Sequence, residues 1–412
     1  MDAAESLQFQ DWMTDPATRA VMGALTADGQ IVRFVGGCVR DAVVGRPIYD
    51  IDIATPDEPR TVVGLLEAAN LKAVPTGIDH GTITAVADGK SFEVTTLRHD
   101  VETNGRHAKV AFTDDWVADA ERRDFTLNAL YCDPDGTVFD PTGGLADLRA
   151  GRVRFVGDPG TRITEDFLRI LRFFRIHAHF GVGPPDTEAL AACTSNAAKL
   201  EMLSAERIAM ELLRLLEAPD PAPVMSLMSK ARVLEKVLPE AKNFERLAGL
   251  TSLDAVDPDP VRRLAAVVTG DAGVMEALAL RLRLSKDHLR RLVGLATLPP
   301  VSPHGKPVVL RRALHSVGHQ KFQDDVWLHW AEDPTSTDPG WLRVLNFPDT
   351  WTPPDLPVTG DDAIAAGIKK GPAVGEALAA IEAWWITEDF TLDRATCLQK
   401  LVELAAPHDF LP

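Results

Sequence analysis

Residues 33–55, RFVGGCVRDAVVGRPIYDIDIAT, decide the reading of this chain. An apolar run from Ile31 to Val35 closes on Gly36 and Gly37, a short helical segment follows, and a second apolar run carries Asp50 and Asp52 as Asp-Ile-Asp. Side chains alternate along a strand, so both carboxylates face one way while Ile51 and Ile53 face the core. Paired carboxylates on a rigid edge suit hard, oxygen-seeking cations. The glycine turn exposes backbone N–H groups that suit phosphate. Together they suggest a Mg²⁺ site beside a triphosphate site, although an Asp-x-Asp strand is also what a solvated face looks like. Glu93, between Phe92 and Val94 in SFEVTTL, is the candidate third carboxylate, since alternation turns it away from both apolar neighbours.

Outward from this stretch, residues 30–156 are rich in short β-type runs (IVRFV, YDIDIAT, TITAVA, SFEVTTL, KVAF, LNALYCD, VFD) with the helical stretch PRTVVGLLEAANL between them. After Gly157-Asp158-Pro159 helical periodicity dominates, interrupted by prolines. The expected fold class is α+β: an N-terminal head with a mixed or antiparallel sheet and helices, followed by all-helical neck, body and tail. The expected boundaries are a leader helix at 1–28, a head at 29–156, a neck at 157–217, a body at 218–347 and a tail at 348–412.

At 412 residues and 45% apolar the chain can bury a large core. It has no run of 18 apolar residues, so no membrane span is expected. The first residues, MDAAESLQFQDWMTD, do not resemble a signal peptide. Four scattered cysteines without a Cys-x-x-Cys pair argue against zinc and a disulfide framework and fit a cytoplasmic protein. The net charge of −17 excludes a uniformly basic nucleic-acid binder, but its distribution is uneven. Residues 331–412 hold 14 acids against 5 basic residues, whereas Arg149 to Arg175 places seven arginines among three acids. Such a local basic track can bind a polyanion.

Two further segments carry chemistry. In ERRDFTLNAL (121–130), Arg123 offers a planar fork for triphosphate oxygens, and Asp124 and Asn128 suit a ribose hydroxyl; a surface ion pair at a helix cap would look the same. In EDFLRILRFFRIH (165–177), Asp166 and Arg169 share a helix face. A carboxylate accepting from an exocyclic amine beside a guanidinium donating to a ring nitrogen fits cytosine and adenine and mismatches uracil and guanine. The same spacing also describes an ordinary i,i+3 salt bridge.

In order along the chain, Gly36-Gly37-Cys38-Val39-Arg40-Asp41, Asp50-Ile51-Asp52, Arg122-Arg123-Asp124, Glu165-Asp166-Phe167-Leu168-Arg169 and SAERIAMELLRLL (204–216) resemble the class II tRNA nucleotidyltransferases. That family includes the CCA-adding enzymes and the bacterial poly(A) polymerases. PTGIDHGTITAV (75–86), FEVTTLR (92–98) and DPTGG (140–144) also look like family sequence, and the similarity spans roughly residues 30–240.

The resemblance implies a nucleotidyltransferase head that adds or repairs the 3′-terminal CCA of tRNA from CTP and ATP. Asp50 and Asp52 are then the metal ligands for Mg²⁺, with Glu93 the third carboxylate. Gly36, Gly37 and Arg40 seat the triphosphate, Arg123, Asp124 and Asn128 hold the nucleotide, and Asp166 and Arg169 read the base. The 204–216 helix buttresses the nucleotide pocket. The segment His99 to Lys109 falls where the family has a hinge-like loop implicated in switching from CTP to ATP. The helical half is implied to hold the tRNA acceptor arm, with Arg281, Arg283, Lys286, Arg290, Arg291, Arg311 and Arg312 as candidate phosphate contacts. The turn GIKKGPAVG (367–375) is a further candidate contact.

Poly(A) polymerase and partial, CC-adding or A-adding enzymes share most of these motifs. An Asp-x-Asp glycosyltransferase leaves the Arg-Arg-Asp and Glu-Asp-x-x-Arg segments without a job. A non-catalytic RNA-binding protein leaves the carboxylates without one. His99-Asp100 and His408-Asp409 are isolated pairs, so phosphohydrolase activity is not expected.

Overall fold

Ten strands and a long series of helices make up the described chain, a computed structural model that covers residues 3–7, 10–104, 107–297 and 301–406. It divides into two compact units, one running to Phe244 and including Arg281–Leu284, the other comprising Glu245–Leu280 and the chain from Ser285 onward. The expected boundaries at 156/157 and 217/218 both fall inside the first unit.

The first unit is built on an eight-stranded mixed sheet. Its strands are β1 (Ala3–Ser6), β2 (Arg33–Val35), β3 (Ile51–Thr55), β4 (Lys72–Gly77), β5 (Thr82–Ala87), β6 (Lys90–Thr96), β9 (Tyr131–Cys132) and β10 (Thr137–Phe139), while β7 (Arg98–Asn104) and β8 (His107–Phe112) form a separate two-stranded sheet. The large sheet runs in the order β1-β10-β9-β2-β3-β6-β5-β4. Only β3 and β6 pair in parallel; every other neighbour is antiparallel. The parallel pair joins the Asp-Ile-Asp strand to the strand of Glu93 at the middle of the sheet.

One expectation about the N-terminal segment is corrected. The leader 1–28 is not one helix: Ala3–Ser6 pairs with β10 at the sheet edge, and short helices Asp11–Thr14 and Pro16–Leu25 follow. Pro16 and the Asp15 side chain, which accepts from the Ala17 amide at 3.0 Å, start the second helix and end the first. The segment 99–109 is expected at the position of the family's hinge-like loop. It lies within the paired strands β7 and β8, and residues 105–106 are outside the described residues. Residues 408–409 also lie outside the described residues.

Beyond the sheet, helices begin where the sequence places Asp-Pro or Asp-x-x caps. Asp158 accepts from the Thr161 amide at 2.7 Å and opens Pro159–Glu165; Asp186 caps Thr187–Asn196 in the same way. Helix Leu168–Phe180 buries Leu168, Leu171, Phe174 and Ile176, and helix Ala205–Leu216 buries Ile208, Leu212, Leu215 and Leu216. The two pack on each other.

The elements among the second unit's described residues are helices. A buried ionic cluster lies in its core: Arg263 donates to Asp254 (2.6 Å), and Arg262 reaches Asp254 (3.4 Å) and Asp324 (3.3 Å). A separate apolar cluster of Val358, Ala363, Ile381, Trp385, Cys397 and Leu401 organises the C-terminal helices. No described helix is long and apolar enough to cross a membrane.

Candidate active site

The turn after β2 sets the floor of the site. Gly36 sits at φ 74°, ψ −123°, a conformation side chains disfavour, and its N–H donates to the Leu130 carbonyl at 3.0 Å. A Cβ there would stand 3.7 Å from Arg123 Nη1 and 4.0 Å from Asp52 Oδ2, so the turn brings backbone, guanidinium and carboxylate together. Helix Gly37–Val43 follows and presents Arg40, which donates to Asn128 Oδ1 (2.6 Å) and to Asp41 (2.9 and 3.0 Å).

Parallel register pairs Asp52 directly with Glu93. Phe92 and Val94, each 1% exposed, are turned into the core, so the exposed Glu93 shares the outer face with Asp52. Asp50 stands exposed just before β3. Burial, then Glu93 and Asp50, push the Asp52 carboxyl up to about 6 against the pull of Arg123 and Arg40. Cys38 behind the strand is an apolar filler whose thiol donates to the Val35 carbonyl at 3.3 Å; burial pushes it up to about 12.

Among the described residues no three His, Cys, Asp or Glu side chains are arranged to close around a metal ion. The donor set still fits Mg²⁺, which binds through one or two carboxylates and completes its shell with water and substrate phosphate. The electrostatics agree: the Asp52 carboxyl, raised by burial and by neighbouring Glu93 and Asp50, lacks positive charge, which a divalent cation supplies.

Arg122 and Arg123 are held from behind by a residue that sequence reading passed over. Asp119, 1% exposed, accepts from Arg122 (2.6 and 2.8 Å), from Arg123 (3.0 and 3.3 Å) and from the Tyr131 hydroxyl (2.7 Å). Burial would raise its pKa, but Arg123, Arg122 and the Tyr131 hydroxyl outweigh it and hold the carboxyl at about 2. The i+3 and i+4 spacing from Asp119 to the two arginines was the available signal.

Asp124 accepts from Asn128 (3.2 Å) and the Phe125 amide (2.9 Å) and pairs with Arg172 at 2.5 Å. Asp166 and Arg169 do not share a helix face as expected. Asp166 has extended backbone (φ −152°, ψ 109°) in a break between helices Pro159–Glu165 and Leu168–Phe180, where one carboxylate oxygen accepts from the Leu168 amide at 3.1 Å. Its other oxygen pairs with Arg207 at 2.6 Å, from helix Ala205–Leu216. Arg169 pairs with Glu165 and donates to the Arg162 carbonyl at 2.8 Å.

Gly36, Gly37, Arg40, Asp52, Arg123, Asp124, Asn128, Asp166 and Arg169 nevertheless line one cavity of about 440 Å³. Arg122 of the Arg-Arg-Asp motif lines it too, as do three arginines not singled out from sequence: Arg172, Arg175 and Arg214. Arg169, Arg172 and Arg175 recur at three-residue spacing on one helix, a signal legible in LRILRFFR.

The other candidates are placed differently. Arg281 and Arg283 belong to the first unit, outside the lining of this cavity, and pair with Glu240 (2.7 Å) and Glu206 (2.5 Å). In the second unit Lys286 and Arg290 are exposed. Arg291 is drawn into the internal cluster by Asp324 (2.8 Å) and Asp259 (2.7 Å). Arg311 pairs with Asp389, and Arg312 donates to the carbonyls of Ile386 (3.0 Å) and Thr387 (2.7 Å).

Comparison with known proteins places this geometry. Residues 32–154 match the poly A polymerase head domain, and residues 185–245 match the family described as the probable RNA and SrmB-binding site of polymerase A. The mitochondrial CCA tRNA nucleotidyltransferase 1 of Mus musculus is 32% identical over 401 residues, covering 95% of this chain and 90% of that protein. The CCA-adding enzyme of Limosilactobacillus fermentum is 32% identical over 409 residues, covering 95% and 97%. The crystal structure of the Bacillus stearothermophilus CCA-adding enzyme in complex with CTP superposes with a TM-score of 0.79 at 27% identity, covering 94% of this chain and 96% of that one. With identity carried across nearly the full length of its relatives, and the family's ordered motifs gathered at one cavity, the chain belongs to the class II tRNA nucleotidyltransferases, among the CCA-adding enzymes.

Proposed function

We propose that this chain builds or repairs the 3′-terminal CCA of tRNA from CTP and ATP without a nucleic-acid template, releasing pyrophosphate. One observation carries the reading: the acid-bearing strand, the Arg-Arg-Asp segment and the Asp166/Arg169 pair, far apart in sequence, line a single 440 Å³ cavity. In each cycle the tRNA 3′-hydroxyl oxygen bonds to the α-phosphorus of the nucleotide, the bond to the β-phosphate bridge breaks, and the hydroxyl proton is lost.

Asp50 and Asp52, with Glu93 alongside, would hold Mg²⁺. Held there, the ion would supply positive charge against the attacking oxygen and the leaving pyrophosphate. The chain's own residues do the positioning. Arg40 and Arg123 grip the triphosphate with paired donors. Asp124, held by Asn128 and Arg172, faces the cavity as an acceptor for a ribose hydroxyl. Asp166 accepts from the exocyclic amine of cytosine or adenine while Arg169 donates to the ring nitrogen, which leaves uracil and guanine with opposed donors or acceptors. Arg207 fixes the Asp166 carboxylate in that role. The exposed Lys286 and Arg290 are the proposed phosphate contacts to the acceptor arm.

The test uses tRNA transcripts ending before CCA, after C and after CC, incubated with Mg²⁺ and each nucleotide singly and mixed, with products sized to one residue. Addition of two Cs and one A, then arrest, is the expected result. Long A tails on any RNA would reassign the activity to poly(A) synthesis, and addition of only C or only A would make it a partial enzyme.

A further inference from the structure

We propose that Asp119 is the positioning residue that sets the Arg122–Arg123 pair for the incoming nucleotide and ties that pair to the root of the β7–β8 hairpin. The proposal rests on the nucleotidyl-transfer reading above and deepens it.

Asp119 and Tyr131 do not line the cavity, whereas both arginines do. The carboxylate therefore acts through them. Its Oδ1 takes Arg122 and its Oδ2 takes Arg123 and the Tyr131 hydroxyl, so the two guanidiniums are spread to either side of one rigid acceptor. An amide in the same place would offer one acceptor and would turn its NH₂ against a guanidinium. The anchor itself is fixed. Ala120, its neighbour in helix Trp116–Glu121, is packed in the cluster with Val35, Ala54 and Tyr131, and Trp116 meets the Tyr131 ring edge-on at 5.3 Å.

Oδ1 has a further donor, the backbone amide of Arg98 at 3.3 Å, the first residue of β7. Arg122 Nε returns a bond to the Arg98 carbonyl at 3.0 Å. The start of the hairpin is thus hydrogen-bonded both to the carboxylate that orients the arginines and to one of the arginines. A shift of the hairpin root moves the groups that grip the nucleotide, and a nucleotide that pulls on the arginines restrains the hairpin root. A carboxylate that merely balanced buried charge would need no bond to Arg98.

The experiment compares Asp119→Asn, Tyr131→Phe and, as a control that loosens the same core without touching the arginines, Phe139→Leu. For each, kcat and KM are measured for CTP, ATP and tRNA, CTP binding is measured by calorimetry without tRNA, and hydrogen exchange is followed over residues 98–104. Asp119→Asn is expected to raise the nucleotide KM and weaken CTP binding by about 10–100-fold, because misplacing a gripping group by an ångström costs that much. The tRNA KM should stay within about twofold, since the arginines face the nucleotide cavity. Tyr131→Phe removes the hydroxyl that donates to Asp119 (2.7 Å) and accepts from Arg123 Nε (3.3 Å) and should raise the nucleotide KM about threefold, and Phe139→Leu should lower Tm alone. Exchange at Arg98 should quicken in Asp119→Asn.

Unchanged nucleotide KM and CTP binding in Asp119→Asn, with only the Tm loss seen in Phe139→Leu, would overturn the positioning role. Unchanged exchange at Arg98 would overturn the tie to the hairpin. Should Asp119→Asn not fold, an unaltered nucleotide KM in Tyr131→Phe refutes the proposal. Wild-type protein that neither binds CTP nor incorporates it would instead remove the underlying function.

Discussion

Replacing Asp52 by asparagine should destroy turnover and, in the absence of metal, make the protein more stable. In the folded chain burial and the neighbouring Glu93 and Asp50 raise this carboxyl from its ordinary 3.8 to about 6. A proton is then bound more tightly by the folded than by the unfolded state. Stability contributed by this group rises as pH falls from 6 towards 3.8, and above pH 6 the fold carries the whole cost of an ionised Asp52. Two pKa units correspond to about 3 kcal/mol, and solvent screening at a half-buried group reduces this to roughly 1–2 kcal/mol. Asparagine removes that cost, so at pH 8 with EDTA the variant should melt about 2–8 °C higher, taking 2–4 °C per kcal/mol for a unit of this size. The gain should fade as pH approaches 4.

Magnesium supplies the second half of the test. Cation bound to the folded state stabilises it by about 1.4 kcal/mol at ten times its Kd. Wild type should therefore rise in Tm with added Mg²⁺, and Asp52→Asn should respond far less. Thermal melts of both proteins at pH 5 and pH 8, with EDTA or a Mg²⁺ titration, read all four quantities without requiring turnover. A variant less stable than wild type at pH 8 in EDTA would show that Asp52 serves the fold rather than opposing it. Equal Mg²⁺ shifts in the two proteins would remove Asp52 from the metal site.

Asp166→Ala should relax nucleotide choice, raising UTP and GTP incorporation relative to CTP and ATP by about tenfold or more, and Arg207→Ala should do so partially because it frees the carboxylate; competition assays with unchanged selectivity would dismiss the base-reading role. In the second unit, Asp254→Ala removes the buried carboxylate that Arg262 and Arg263 share and should cost about 3–5 kcal/mol, seen as an early transition in denaturant unfolding. Arg290→Ala, at an exposed side chain, should weaken tRNA binding and lower its salt slope by about one. Arg291→Ala should lower stability instead, and identical behaviour of the two variants in filter binding and melts would contradict their different placements.

Patterns carried within one element were legible in the sequence. The Asp-Ile-Asp alternation, the glycine turn and the apolar neighbours of Glu93 are properties of single strands, and they state which way each carboxylate points. That β6 lies beside β3 in parallel, with Asp52 opposite Glu93, is a tertiary fact no local pattern contains. Ala3–Ser6 has little intrinsic strand preference and is a strand because it pairs with β10 at the sheet edge. Asn104-Gly105 is a hairpin signal in the sequence, and β7 and β8 pair on either side of it. The continuous helix expected through Asp166 failed because periodicity reports which residues are apolar, not where the backbone breaks; Arg207, which holds Asp166, comes from another helix.

The hardest feature to read from sequence was the electrostatic design of the cavity. A chain of net charge −17 lines it with seven arginines and three aspartates. Unpaired, so many guanidiniums would repel one another. The structure gives six of the seven a carboxylate: Asp41 for Arg40, Asp119 for Arg122 and Arg123, Glu165 for Arg169, Asp124 for Arg172 and Glu211 for Arg175. Arg214 alone among the seven has no carboxylate partner among the described residues. Each guanidinium has five donors, so a carboxylate can fix its orientation and leave others for a ligand. The acids thus make the crowded guanidiniums tolerable and remove in advance the side-chain entropy that gripping a triphosphate would otherwise cost. Asp119 and Glu165 precede their arginines by three or four residues, where spacing alone could have revealed them; Glu211 lies on a different helix from Arg175, and only the fold brings them together.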